Sequence, residues 1–217
     1  MKKYELTTEC KEFLGRKLYR IKALTSFSDV KEGDLGGWIE KEENLSQEGN
    51  AWVYDNATVC DNARVYGDAR VGDNARVYDN AWVGNNARVY GDATVCDNAW
   101  VYGDATVCDN AWVCDNARVY GNAWVCDNAW VCDNAWVGGD AEIKKKTHLL
   151  KIGFIGSRDD VTTFFRTKDK GIFVKCGCFE GNIDEFEKQV QKVHGDDKHG
   201  RVYALAIAMA REQIELD

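Results

Sequence analysis

The chain of 217 residues contains no proline. No turn can rely on proline's fixed φ, and proline-rich linkers are excluded. No apolar run approaches transmembrane length. The opening, Met1-Lys2-Lys3-Tyr4-Glu5-Leu6-Thr7-Thr8-Glu9-Cys10, lacks the apolar stretch of a secretory leader. Histidine is scarce, with only three. The formal charge of −8 argues against direct nucleic-acid binding. Nine cysteines without a leader are expected to be free thiols in a reducing cytoplasm. Eight tryptophans are the other departure from ordinary composition.

What the chain does have is a repeat. From Ala51 the pattern Ala-x-Val-x-(Asp/Gly)-(Asn/Asp) recurs hexad after hexad, from Val53 through Val137 with Asn85-Asn86 as a departing corner, and Ile143 takes the next place. In a helix every sixth residue would drift around the axis, and no fixed stripe would be buried. In an extended Ala-x-Val, Ala and Val point one way and x points the other. The Asp-Asn or Gly-Asp pair that follows is turn chemistry. Each hexad is thus a short strand and a corner, and the whole is a parallel β-helix.

Aliphatic residues with a small residue two places before them resemble the hexapeptide-repeat family. That resemblance implies a left-handed, three-sided coil of three hexads per turn and a homotrimer with parallel axes. Positions three hexads apart then share an outer column. Trp52, Arg70, Arg88, Thr106 and Trp124 form one, Thr58, Arg76, Thr94, Trp112 and Trp130 a second, and Arg64, Trp82, Trp100, Arg118 and Trp136 a third. Outward Trp beside Arg suits cation–π ladders, and some of it suits a covered face. A further column holds Cys60, Tyr78, Cys96, Cys114 and Cys132. Its thiols all stack in one direction, which does not suit a tetrahedral metal site, so they are read as small packing residues.

Thirteen Asp and one Glu against five Arg put −9 on residues 51–143. An acidic rod of this kind is open to a structural or DNA-mimic reading, although Asp and Asn also suit left-handed turns. The expected domains are an N-terminal cap over 1–50, the β-helix over 51–143 and a C-terminal α+β domain over 144–217. In the cap, residues 17–23 alternate as a strand. Ile39 and Leu45 are read as degenerate first hexads, with two extra residues before Val53. In the last domain, strands are expected over 148–155, 161–167 and 172–176, then helices from Asn182 to Val193 and from Arg201 to Ile214.

The segments Ile155-Gly156-Ser157-Arg158, Thr162-Thr163-Phe164-Phe165, Cys176-Gly177-Cys178-Phe179-Glu180-Gly181 and Val193-His194-Gly195 resemble the tail of uncharacterised phage and prophage hexapeptide proteins. Asp34-Leu35-Gly36-Gly37-Trp38-Ile39 fits the same group. This resemblance supplies no catalytic residues.

Hexapeptide acyltransferases resemble the rod in fold, and their chemistry depends on a histidine in the groove between subunits. This rod has no histidine: His148, His194 and His199 lie outside it. Cys176-x-Cys178 with His194 and His199 has a spacing tighter than a zinc finger, and core cysteines are the preferred reading. No metal and no cofactor is expected. Gly156, Ser157 and Arg158 follow an apolar strand and bring free N–H groups, a hydroxyl and a guanidinium together, which suits a phosphate. Thr162, Lys175 and His194 complete the candidate ligand-binding set. The reading that follows is a non-catalytic, phage-type binding protein in the host cytoplasm. It would be a homotrimer that holds a small anionic, nucleotide-like ligand or blocks a host defence protein, with no membrane contact. The alternatives are an acyltransferase-like enzyme and an acidic structural rod.

Overall fold

The computed structural model describes residues 2–217. Sixteen two-residue strands, from Trp52–Val53 to Glu142–Ile143, wind a three-sided parallel β-helix. Partners lie three hexads apart on all three faces: Arg88 pairs with Arg70 and Thr106, Thr94 with Arg76 and Trp112, and Trp100 with Trp82 and Arg118. The outer columns are therefore those expected for a coil of three hexads. Every Ala and Val of the hexads is buried in one continuous core.

The corners explain the choice of Asp, Asn and Gly. All fifteen first corner positions, from Asp55 to Gly139, have positive φ. Gly takes that conformation without cost, and Asp and Asn tolerate it better than other side chains. The carboxylates and amides then point to solvent, where Asn62, Asn80 and Asn98 form a ladder of 3.1 and 3.2 Å bonds.

A solenoid exposes its end coils unless they are plugged. At the N-terminal end the hairpin Tyr4–Phe13 and Arg16–Ala23, followed by the strand Leu35–Ile39, extends one face of the rod. The strand Tyr4–Phe13 was not read from the sequence, because its polar, half-exposed residues give no apolar alternation. Ile39 pairs with Val59 and Leu45 bridges Val65. Both pairings exceed the regular three-hexad offset, and the two extra residues of the first coil account for the excess. Tyr4 and Phe27 cover Trp52 edge-on at 6.1 and 5.4 Å.

The other end is closed by a four-stranded antiparallel meander, Leu149–Ile155, Asp160–Arg166, Ile172–Cys176 and Phe179–Asn182. Its fourth strand also escaped the sequence reading, being short and interrupted by Gly181. The pleat divides Phe164 from Phe165. Phe165 joins the rod core, with Phe173 packed beside it, and Phe164 joins the core beneath the helices. Those helices are α1, Ile183–His194, and α2, Lys198–Gln213. Asn182 caps α1 in a reciprocal capping box with Glu185, at 2.9 and 3.1 Å. Asp197 caps α2 by accepting from the Gly200 N–H at 2.8 Å. No described helix is long and apolar enough to cross a membrane.

One expectation is overturned. The cysteines are not all free thiols: Cys108 is bonded to Cys126 and Cys114 to Cys132. In-register stacking of one coil on the next holds the paired Cα atoms 4.5 and 4.7 Å apart, which is within disulfide reach. Cys10, Cys60, Cys96, Cys176 and Cys178 remain free.

Candidate functional site

The β-turn after Leu149–Ile155 and the turn at Gly177 face α1 and the start of α2 across a cavity of about 260 Å³. Ile155, Phe179, Phe186, Val190, Val193 and Tyr203 make its apolar walls, and Ser157, Arg158, Asp160, Gln189 and His194 supply polar groups. Three residues of the sequence-derived set, Ser157, Arg158 and His194, thus line one cavity.

Local chemistry explains the placement. Gly156 is buried with φ +78°, and a Cβ there would lie 1.8 Å from the Tyr203 hydroxyl. Only glycine fits both the backbone and the close approach. The turn delivers Ser157 and Arg158 to the rim, where both are exposed. Arg158 has no carboxylate within ion-pair distance among the described residues, and its guanidinium reaches across toward Gly177. His194 ends α1 and is half-buried. Its Nδ1 lies 3.4 Å from Asp197 Oδ2, and its ring packs 5.8 Å from Tyr203.

The other three residues play different parts. Gly156 holds the turn against Tyr203. Thr162 is fully buried on the helix-facing side, and its hydroxyl donates to Cys176 Sγ at 3.2 Å. Lys175 lies on the opposite face of the sheet. The register pairs Thr162 with Cys176 and Thr163 with Lys175, so the pleat turns Lys175 toward the rod. There its ammonium binds Glu180 at 2.6 Å and sits 5.0 Å from the Trp136 ring. Lys175 therefore cannot reach a ligand beside Arg158.

Tyr203 was missed at the sequence level. It sits mid-helix with no motif around it, and only the packing of α2 on the sheet brings it under the cavity. Burial, reinforced by its contact with Cys176, pushes its phenol well above the ordinary tyrosine range. It stays a neutral hydroxyl at physiological pH. Ile183, Phe186 and Val190 form the buried stripe of the amphipathic helix α1. Cys176 ends a strand and Cys178 follows in the turn, so the two do not share a strand face.

In chemical terms the cavity joins one unpaired guanidinium, a hydroxyl and an imidazole to an apolar floor. Asp160 on the same rim limits how much negative charge it can take. That combination suits a singly or doubly charged anion with an apolar or aromatic body.

Comparison with known proteins bears on the rod. A family model described as the YdcK beta-solenoid repeat matches residues 57–73, 69–85, 87–103 and 111–127. A protein of Escherichia coli strain K12 named as an uncharacterized acetyltransferase, YdcK, is 42% identical over 67 residues. The match covers 27% of this chain and 21% of that protein. With the geometry above, these matches place the repeat segment among hexapeptide-repeat β-helices.

Proposed function

We propose that this is a non-catalytic binding protein whose C-terminal cavity holds a small anion with an apolar body, of nucleotide-like chemistry. The observation that carries the reading is Arg158: a guanidinium with no carboxylate partner among the described residues, at the rim of an apolar cavity. An unpaired cation there gains a charge-assisted bond when an anion arrives. The outward Trp columns support a homotrimer with parallel axes, which would cover part of that surface.

The test is calorimetric titration with adenosine monophosphate and phenyl phosphate. Arg158→Ala should weaken binding about ten- to a hundred-fold, through loss of a charged hydrogen bond of about 1.5–3 kcal/mol. The apo-protein's melting temperature should hardly change, because the side chain is exposed. Loss of binding in Arg118→Ala, with Arg158→Ala unaffected, would move the site to the rod.

A second reading is acyl transfer, favoured by the printed name of the E. coli relative. The rod, residues 51–143, contains no histidine to act as general base. Incubation with acetyl-coenzyme A and a panel of amine and hydroxyl acceptors separates the readings. Turnover would overturn the non-catalytic one.

A further inference from the structure

The Trp columns are not alike. Trp52 is buried under Tyr4 and Phe27. Trp82 and Trp100 stack face to face at 5.2 Å. Arg118 lies 5.1 Å from the Trp100 ring and 4.4 Å from that of Trp136. Lys144 covers Trp124 at 5.7 Å. These rings are already used by the chain's own side chains.

Trp112 and Trp130 form a different arrangement, in which only Trp112 keeps a free ring face. They are 43% and 49% exposed, and they meet edge to face, at 6.2 Å and 65°. Two indoles at that angle make the walls of a groove rather than a flat ladder. With Asn110, Asn128, Ala129 and Lys146 they enclose about 270 Å³. Trp130 is held in place, because its Nε1–H donates to Cys114 Sγ at 3.4 Å and its ring takes the Lys146 ammonium at 4.7 Å. Trp112 has neither kind of partner among the described residues.

The amides of the groove, and the Lys146 ammonium apart from its contact with the Trp130 ring, have no polar side-chain partner among the described residues. The amides of Asn110 and Asn128 make no side-chain hydrogen bond among the described residues, unlike the Asn62–Asn80–Asn98 ladder. Of three consecutive lysines, Lys144 pairs with Glu142 and Lys145 with Glu215, while Lys146 has no carboxylate partner among the described residues. The adjoining depression contains Asp115, Asp133 and Lys151, and Lys151 neutralises Asp133.

We propose that this groove binds an acidic saccharide. The free face of Trp112 takes the C–H face of a pyranose ring, an apolar surface with weakly positive hydrogens that suits an electron-rich indole. The amides of Asn110 and Asn128 each offer donors and an acceptor, which is what vicinal hydroxyls need. Lys146 takes the sugar carboxylate as a charge-assisted contact. A polyanionic strand such as single-stranded nucleic acid fits less well. It would use the stacking surface, but one ammonium cannot offset the −9 carried by residues 51–143. The site is independent of the cavity in the C-terminal domain.

The experiment uses the full chain on a panel of immobilised oligosaccharides bearing uronic or sialic acid, with their neutral counterparts. Quenching of tryptophan fluorescence by the retained sugars in solution gives affinities. Acidic members should be retained in preference to neutral ones. Trp112→Ala should weaken binding at least tenfold, and Lys146→Ala should abolish the preference for acid. Trp124→Ala should leave both intact. Circular dichroism should match the parent for all three, since the changed side chains are exposed. Retention of no sugar, or retention unaltered by Trp112→Ala, overturns the proposal. Equal retention of neutral and acidic sugars overturns the role of Lys146.

Discussion

The Arg166 guanidinium pairs with the Glu142 carboxylate, joining the second strand of the C-terminal sheet to the last hexad of the rod. Arg166 is only 6% exposed, and its Nε has no hydrogen-bond partner among the described residues. Glu142 also binds Lys144 at 2.9 Å, and Lys144 and Arg166 together hold its carboxyl below the usual range. This ion pair, Phe165 in the rod core and the Trp136 N–H bonded to Thr163 at 3.3 Å tie the two domains together.

Removing one partner of that pair leaves a buried charge. Glu142→Ala should destabilise the protein by about 3–5 kcal/mol. The double variant Glu142→Leu/Arg166→Met should recover most of the loss, because no charge is stranded. Urea denaturation followed by near-ultraviolet circular dichroism checks both. Equal stability of the single and double variants would mean that the pair does not couple the domains.

His148 sits at the same junction, buried, with Nε2 unpartnered among the described residues and Nδ1 3.3 Å from the Glu142 carbonyl. Burial lowers its pKa below the ordinary 6.5, despite a smaller opposing effect of that carbonyl. The unfolded chain therefore binds the proton more readily than the folded one. Stability from this residue is complete above about pH 6.5 and declines as pH falls below it. In His148→Gln the slope of stability against pH between 7 and 5 should be shallower. An unchanged slope would assign the acid sensitivity to other groups.

Two glycines of the rod give a matched pair. A Cβ at Gly138 would lie 2.2 Å from the Tyr120 ring, which is stacked on Tyr102 and bonded to Glu180. A Cβ at Gly72 would meet only Tyr54 Cβ at 3.7 Å, an ordinary contact. Gly138→Ala should cost about 1–3 kcal/mol by overpacking, and Gly72→Ala should be near neutral. Thermal denaturation of the two variants reads the difference directly.

The exposed Trp100 and Trp124, which lie on other faces than the groove of Trp112 and Trp130, motivate the proposed trimer. Light scattering at micromolar concentration should give three times the 24.4 kDa chain mass. A monomer mass would leave these rings as ligand or ladder surfaces only.

The sequence by itself determined the rod. The Ala and Val of each hexad must face inward, and the three hexads per coil that the hexapeptide-repeat resemblance implies then assign every outer column from Trp52 to Trp136. It also placed the helix start at Asn182, because the capping box is local chemistry. Ser157 and Arg158 were legible as a turn after an apolar strand. Tertiary structure decided the rest. Which face of the C-terminal sheet each residue takes depends on register, and a pleat of period two turned Lys175 away from Thr162. Tyr203 reaches the cavity only because α2 packs across the sheet. The bonding of Cys108 to Cys126 and of Cys114 to Cys132 depended on stacking distance, which composition cannot supply. Periodicity fixes neighbours one coil away, whereas a non-repeating domain brings its residues together through long-range packing that no local pattern encodes.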